Sequence, residues 1–296
     1  MNSDPGMVYS IAIQLSPTRA GRIRATVGHQ AHAAFLQAVR EADKALADVL
    51  HHPVLNQRPF TVSPLLGVRP AHDGWVTVLP EETYTLRFTV LFEPIFQQFM
   101  GRFLRGDRPV LRLGRVLFLI KEILATPEGS PWAGYTSFAS LVQQASVTER
   151  SVTLDFRSPT AFSFGQRAWG KQFHVLPDPR LVFGSLARTW RAFAPPEFAF
   201  DPREVERYAA DHVVIQRMEG LQTRMLHFRR HPQVGFVGQV TYRLMDKGDG
   251  AEGWRQRLNA LADFAFYGGV GYKTTMGMGQ CVRVKPRAAD RRKGAD

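Results

Sequence analysis

A single cysteine, Cys281, occurs in 296 residues, so neither an intrachain disulfide nor a cysteine-built zinc site can form. There is no HExxH pair, no paired-cysteine spacing and no dense acidic motif, which leaves no metal constellation to read. No metal and no other cofactor is expected. No uninterrupted apolar run is long enough to span a membrane; Arg87 and Glu93 break the most apolar region, Tyr84 to Met100. Met1 to Met7 has neither the basic start nor the apolar core of a secretion signal, so a cytoplasmic location without a membrane partner is the expectation. Acidic residues are scarce as well: 26 Asp and Glu face 38 Lys and Arg, a formal net charge of +12. Only seven of the basic residues are lysine. Arginine's planar fork suits bidentate phosphate contact, although a GC-rich genome would give the same excess. The net charge favours a polyanionic partner over a small neutral substrate.

What is present fits a folded α+β protein. The length suits two domains of about 150 residues each. Met7 to Leu15 reads as a strand, and Val27 to Leu50 as helix. Phe60 to Leu66, Gly74 to Leu79 and Thr83 to Leu91 read as strands between proline and glycine punctuation. Glu93 to Leu104 is a second helix and Val110 to Leu124 a strand; with one strand to spare between the helices, this is the β, α, β, β, α, β order of a ferredoxin-like fold. The second half repeats it: strand Ser151 to Arg157, helix Pro179 to Phe193, the strand pair Val213 to Phe228 and Val234 to Leu244, helix Trp254 to Tyr267, strand Cys281 to Val284. Two tandem ferredoxin-like (RRM-like) domains follow, residues 1–130 and 131–296, with a short helix at Ser137 to Gln144 near the boundary. Arg287 to Asp296 reads as a polar tail.

Five glycines (Gly268, Gly269, Gly271, Gly277 and Gly279) fall within twelve residues, with Lys273 among them. Such a loop can turn its N–H groups onto an anion. The dinucleotide fingerprint fails, because Thr274 stands where the third glycine is required, and the triphosphate loop fails because Met278 follows Gly277. A turn closing the last helix onto a final strand is the other reading, with Lys273 a solvated cation. Gly235 to Tyr242 echoes an RNA-recognition signature but lacks its basic first position and second aromatic.

With that loop in place, the chain resembles the CRISPR-associated endoribonucleases that cut repeat transcripts into guide RNAs, members of the repeat-associated RNA-binding superfamily. The resemblance rests on Gly268 to Gly279 after Phe264-Ala265-Phe266-Tyr267, on Ser158-Pro159-Thr160, Pro131-Trp132-Ala133-Gly134 and Gly235-Phe236-Val237-Gly238. It rests also on Leu50-His51 followed by Arg58-Pro59-Phe60-Thr61-Val62-Ser63-Pro64-Leu65. The motifs run in the family's order over most of the chain. The resemblance implies RNA binding by Gly268, Gly269, Gly271, Lys273, Gly277 and Gly279. It implies a catalytic histidine at His51, a second at His32 within Ala31-His32-Ala33-Ala34-Phe35-Leu36, and a phosphate cation at Arg58, where other members have lysine. The tyrosine that some members carry in the first helix is absent; Leu36 stands near its place. The implied partners are CRISPR repeat RNA and other interference subunits, and a homodimer stays open.

The chemistry closes without metal. A base must take the 2′-hydroxyl proton, an acid must protonate the 5′-oxygen, and a cation must meet the developing charge; two histidines and an arginine supply these. The expected products are a 2′,3′-cyclic phosphate and a 5′-hydroxyl. One straight helix would hold His32 and His51 about 28 Å apart, so the segment must fold back. A break at Asp43, with Ala45 to Leu50 as a second short helix, is expected. His32 shares a helical face with Phe35, Leu36 and Val39, so a core histidine and a catalytic one both remain open for it. His29 and His52 read as solvated, and a metal pair of His29 with His32 lacks a third ligand. The rival function is a non-cutting subunit that binds guide RNA within a larger complex.

Overall fold

The computed structural model describes residues 6–44, 57–68, 74–104, 110–168, 170–228, 232–248 and 250–285, and the account concerns those. The first domain is built from β1 (Met7–Pro17), β2 (Gly21–Arg24), α1 (Gly28–Ala42), β3 (Phe60–Val62), β4 (Trp75–Val78), β5 (Tyr84–Val90), α2 (Glu93–Leu104), β6 (Val110–Leu113), β7 (Val116–Leu124) and β8 (Gly134–Ser137). Its sheet runs β3-β5-β1-β7-β6 in antiparallel order, with β8 also pairing with β1. Alternation along β1 and β5 divides the sheet's two faces. Ile11, Ile13, Leu86, Phe88 and Val90 meet the helix stripe Ala31, Phe35 and Val39 of α1 and Ile95 and Phe99 of α2. Ser10, Arg87 and Thr89 point the other way and are buried as well, because the second domain covers that face.

The second domain begins with α3 (Phe138–Gln143) and β9 (Ser151–Thr160), then the hairpin β10 (Phe162–Arg167) and β11 (Gly170–His174). There follow α4 (Pro179–Phe193), α5 (Pro202–His212), β12 (Val213–His227), β13 (Pro232–Leu244), α6 (Ala251–Gly268) and β14 (Cys281–Val284). The sheet order β12-β13-β9-β14 repeats the topology of the first. Val152, Leu154 and Phe156 of β9 and Val240 and Tyr242 of β13 pack beneath Leu186 and Trp190 of α4 and Leu258, Leu261 and Phe264 of α6. The Trp190 ring lies against Phe138, Phe200 and Phe264 at 4.7–5.1 Å between centroids. The protein is two tandem ferredoxin-like domains.

Several elements add to the expected plan. Val110 to Leu124 is a hairpin rather than one strand, turning at Gly114 (φ +64°), which lets the chain reverse there. β2, β8, the β10–β11 hairpin and α5 are also additional. The first helix ends as expected at Asp43, whose extended backbone donates its N–H to Val39 O (2.7 Å). Ala45 to Leu50 and the tail Arg287 to Asp296 lie outside the described residues. The pairing of β8 with β1 carries the first sheet to Ser137. Among the described residues no helix is long and apolar enough to cross a membrane.

Candidate functional site

The glycine-rich loop is first of all a backbone solution. α6 ends at Gly269, whose N–H reaches Ala265 O, and Val270 N–H donates to Gly279 O (2.9 Å), drawing the two ends of the loop together. At Gly279 (φ +70°) a Cβ would fall 2.1 Å from Val270 O, and at Gly271 (φ +85°) it would fall 2.5 Å from Ala161 O. Only glycine fits at either place. The N–H of Gly271 donates to Ser185 Oγ (2.8 Å) and that of Gly279 to Pro159 O (3.1 Å). Lys273 takes the left-handed conformation, φ 57° and ψ 37°, and leads into a 3-10 turn, Thr274–Met276.

That turn lies on the start of α1. A Cβ at Gly28 would sit 1.9 Å from Met276 O, so glycine there lets the loop rest directly on the helix. One turn further along, His32 Nδ1 lies 3.2 Å from Thr275 O, and its ring packs 5.3 Å from that of Phe60. A carbonyl only accepts, so Nδ1 carries the proton of this bond, and Nε2 is the basic nitrogen of the neutral ring. His32 is half-buried, between the solvated and core extremes. Arg58, also half-buried, comes two residues before Phe60, the ring that meets His32. Its neighbour Gln57 accepts a bond from Thr189 Oγ1 of α4 (3.3 Å), so this segment also touches the second domain. His51 and His52 lie outside the described residues.

Beside the loop opens a cleft of about 890 Å³, walled by the start of α1, the β2–β4 ribbon and the end of β12. Arg24, His29, Gln30, Trp75, His227, Phe228 and Lys273 line it, and none of the described residues lining it carries a carboxylate. Its cations lie over its aromatic rings. The Arg24 guanidinium is 4.7 Å from the Trp75 ring centroid, and Lys273 Nζ is 4.3 Å from that of Phe228. His29 meets Phe228 edge-on at 5.8 Å. Positive charge combined with flat apolar faces suits a strand of phosphates and bases. Arg24, Trp75, His227 and Phe228 escaped the sequence reading, since they come from three separated segments; the one usable signal was the tryptophan in the strand after Gly74.

Behind the loop, at the junction of the domains, Arg87 of β5 is completely buried. Nε donates to Ser10 Oγ (2.8 Å) and Trp132 O (3.1 Å), Nη1 to Gln280 Oε1 (2.6 Å) and Nη2 to Phe266 O. The guanidinium also lies 4.2 Å from the Phe266 ring. No carboxylate appears among these partners in the described residues. Burial pulls its pKa down to about 9, which still leaves it protonated at neutral pH. Thr89, two residues on, donates to Tyr267 O (2.7 Å), and Gln280 Nε2 reaches Val62 O (3.3 Å).

Comparison with known proteins places the chain in a family. The family model described as CRISPR Cas6 N-terminal domain matches residues 7–143, and that described as CRISPR-associated endoribonuclease Cas6 matches residues 154–281. Curated relatives from two strains of Mycobacterium tuberculosis, both called CRISPR-associated endoribonuclease Cas6, are 30% identical over 143 residues. The match takes in 47% of this chain and 40% of theirs. A solved Thermus thermophilus Cas6 is 28% identical, covers 95% of this chain and 100% of its own, and superposes with a TM-score of 0.69. A Cas6 product complex, also 28% identical and covering 94% of this chain and 100% of that one, reaches 0.79. With both of its domains matched in order, the chain belongs to the CRISPR-associated endoribonuclease Cas6 family.

Proposed function

We propose that this chain is an endoribonuclease that cuts CRISPR repeat transcripts into guide RNAs without a metal. The observation that carries the proposal is the placing of His32. It is held by a carbonyl of the glycine loop, on the same helix as His29, Gln30 and Ala33, which line a cationic, aromatic cleft free of carboxylates among its described residues. A polyanion is drawn into such a cleft, and a solved relative is a product complex.

In the proposed reaction one histidine takes the proton of the 2′-hydroxyl, and the 2′-oxygen attacks the adjacent phosphorus. The bond from phosphorus to the 5′-oxygen breaks, the second histidine protonates that oxygen, and a 2′,3′-cyclic phosphate and a 5′-hydroxyl result. His32 and His51 share the two roles, and Arg58 stabilises the charged phosphorane. Lys273 and the loop Gly268, Gly269, Gly271, Gly277 and Gly279 hold the RNA. For Gly269, Gly271 and Gly279 the contribution is shape, since their N–H groups already donate within the protein. The product guide RNA would pass to an interference complex.

The test is cleavage of repeat RNA in excess EDTA. Full activity is expected, and a 2′-deoxy sugar before the scissile phosphate should block it. Activity that appears only on adding a divalent ion would refute the chemistry. Tight binding with no cleavage under any condition would favour the non-cutting subunit.

A further inference from the structure

We propose that the glycine-rich loop orients His32, and that Arg87 is the positioning residue that seats the loop; this rests on the catalytic reading of His32 above. The loop's two roots are Phe266-Tyr267 before it and Gln280 after it. Both are gripped by one buried cluster on the back of the first sheet. Arg87 binds Phe266 O and Gln280 Oε1 with two arms of the same fork. Thr89 holds Tyr267 O, and Gln280 in turn reaches Val62 O of β3. A buried guanidinium without a carboxylate partner is a costly way to join two domains, and apolar side chains of similar volume would usually do so at less cost. What the guanidinium adds is direction, because its rigid fork fixes the two roots relative to each other and to β5.

From the roots the constraint runs to the histidine. Val270 N–H to Gly279 O closes the loop above them, and Met276 and Met278 N–H both fold back onto Lys273 O. The 3-10 turn is thereby held as a unit against Gly28, with Thr275 O aimed at His32 Nδ1. Holding Nδ1–H selects the tautomer whose Nε2 is basic and fixes the ring's rotation. Losing the seat lets the turn shift, and a displacement of about 1 Å at a reacting group can cost about 100-fold in rate. The second domain therefore contributes to the chemistry through a backbone carbonyl as well as through RNA contact.

The test combines single-turnover cleavage of repeat RNA, equilibrium binding, and nitrogen NMR of the His32 imidazole, assigned by its loss in His32→Ala. Arg87→Lys keeps the charge and removes the fork; Thr89→Val keeps the shape and removes the bond to Tyr267 O together with the two that join Thr89 Oγ1 to Thr61 N–H and Thr61 Oγ1. Expected for Arg87→Lys is a rate lowered by roughly 10- to 100-fold, an affinity lowered much less than the rate, and loss of the pure Nδ1–H tautomer; Thr89→Val should show the same pattern more weakly. If Arg87→Lys fails to fold, Thr89→Val decides. Wild-type rate and tautomer in the folded variants, with His32→Ala inactive, would overturn the seating role alone. Wild-type cleavage by His32→Ala would instead remove the catalytic reading of His32, and this proposal with it.

Discussion

β3 and β12 occupy the same place in their sheets: each is the edge strand beside the partner of the central strand. β3 is three residues long and wholly buried, whereas β12 runs for fifteen and leaves Val214, Ile215, Met218 and Met225 exposed. The difference comes from what lies across the edge. Gln280 and the glycine loop of the second domain cover β3, with Gln280 Nε2 on Val62 O and Gly277 packed by Pro64. No strand among the described residues pairs with the free edge of β12. An edge strand normally has to be shortened, charged or covered to prevent unwanted pairing. β12 relies on charge, with Arg217, Glu219 and Arg224 along it; β3 relies on cover, and the proposed site forms where that cover meets α1.

The largest expected effect lies at the covered edge. His32→Ala should lower single-turnover cleavage by about 10²- to 10⁴-fold while filter binding of repeat RNA stays near wild type. Unfolding at normal turnover per folded molecule would make His32 a core residue instead. Next come two glycines that sharpen the contrast. Gly279→Ala meets both positive φ and a carbonyl at 2.1 Å, and should cost more than about 3 kcal/mol in denaturant unfolding. Gly220→Ala, in β12, has φ +59° with nothing within 4 Å, and should cost only about 1 kcal/mol. Equal costs would show that the loop tolerates displacement. Lys273→Ala should reduce the slope of log affinity against log salt by about 0.7 for single-stranded RNA or 0.9 for a duplex, and an unchanged slope would take Lys273 off the RNA path. Smallest is Met218→Lys on the open edge, expected within about 0.5 kcal/mol of wild type. A loss above about 1 kcal/mol would mean that β12 is covered in solution.

Much of the fold was legible because periodicity and punctuation agreed. The break at Asp43, the long β12–β13 pair and the final α6–β14 unit all show in the order of residues. Val110 to Leu124 misled because apolar residues continue on both sides of Gly114-Arg115, a weaker turn signal than Asn-Gly. α5 was missed because it is so polar, with only Val205 and Ala209 buried. Its Asp201-Pro202 start, where Asp201 caps Arg203 N–H at 2.8 Å, was the readable sign. At the site, the loop and His32 stand out in the sequence, each within a few residues. The contact of Thr275 O with His32 joins positions 243 apart, and the seat of Arg87 joins positions 179 and 193 apart. No local pattern encodes such separations. Arg87 showed only as a charge interrupting an apolar stretch; that it was a buried charge needing several acceptors could be seen only once the domains were packed.

The seating of residues 266–280 on the first domain also bears on how the protein comes into being. A ribosome makes His32, His51 and Arg58 before the second domain, and the first sheet can assemble while that domain is still being translated. The carbonyl that meets His32 and the side chain that closes the β3 edge come more than 200 residues later in the chain. With the proposed seating, a chain made only through its first domain would hold its proposed reactive side chains yet stay idle until residues 266–280 are in place. Emerging chains would thus be kept from cutting RNA before the second domain exists.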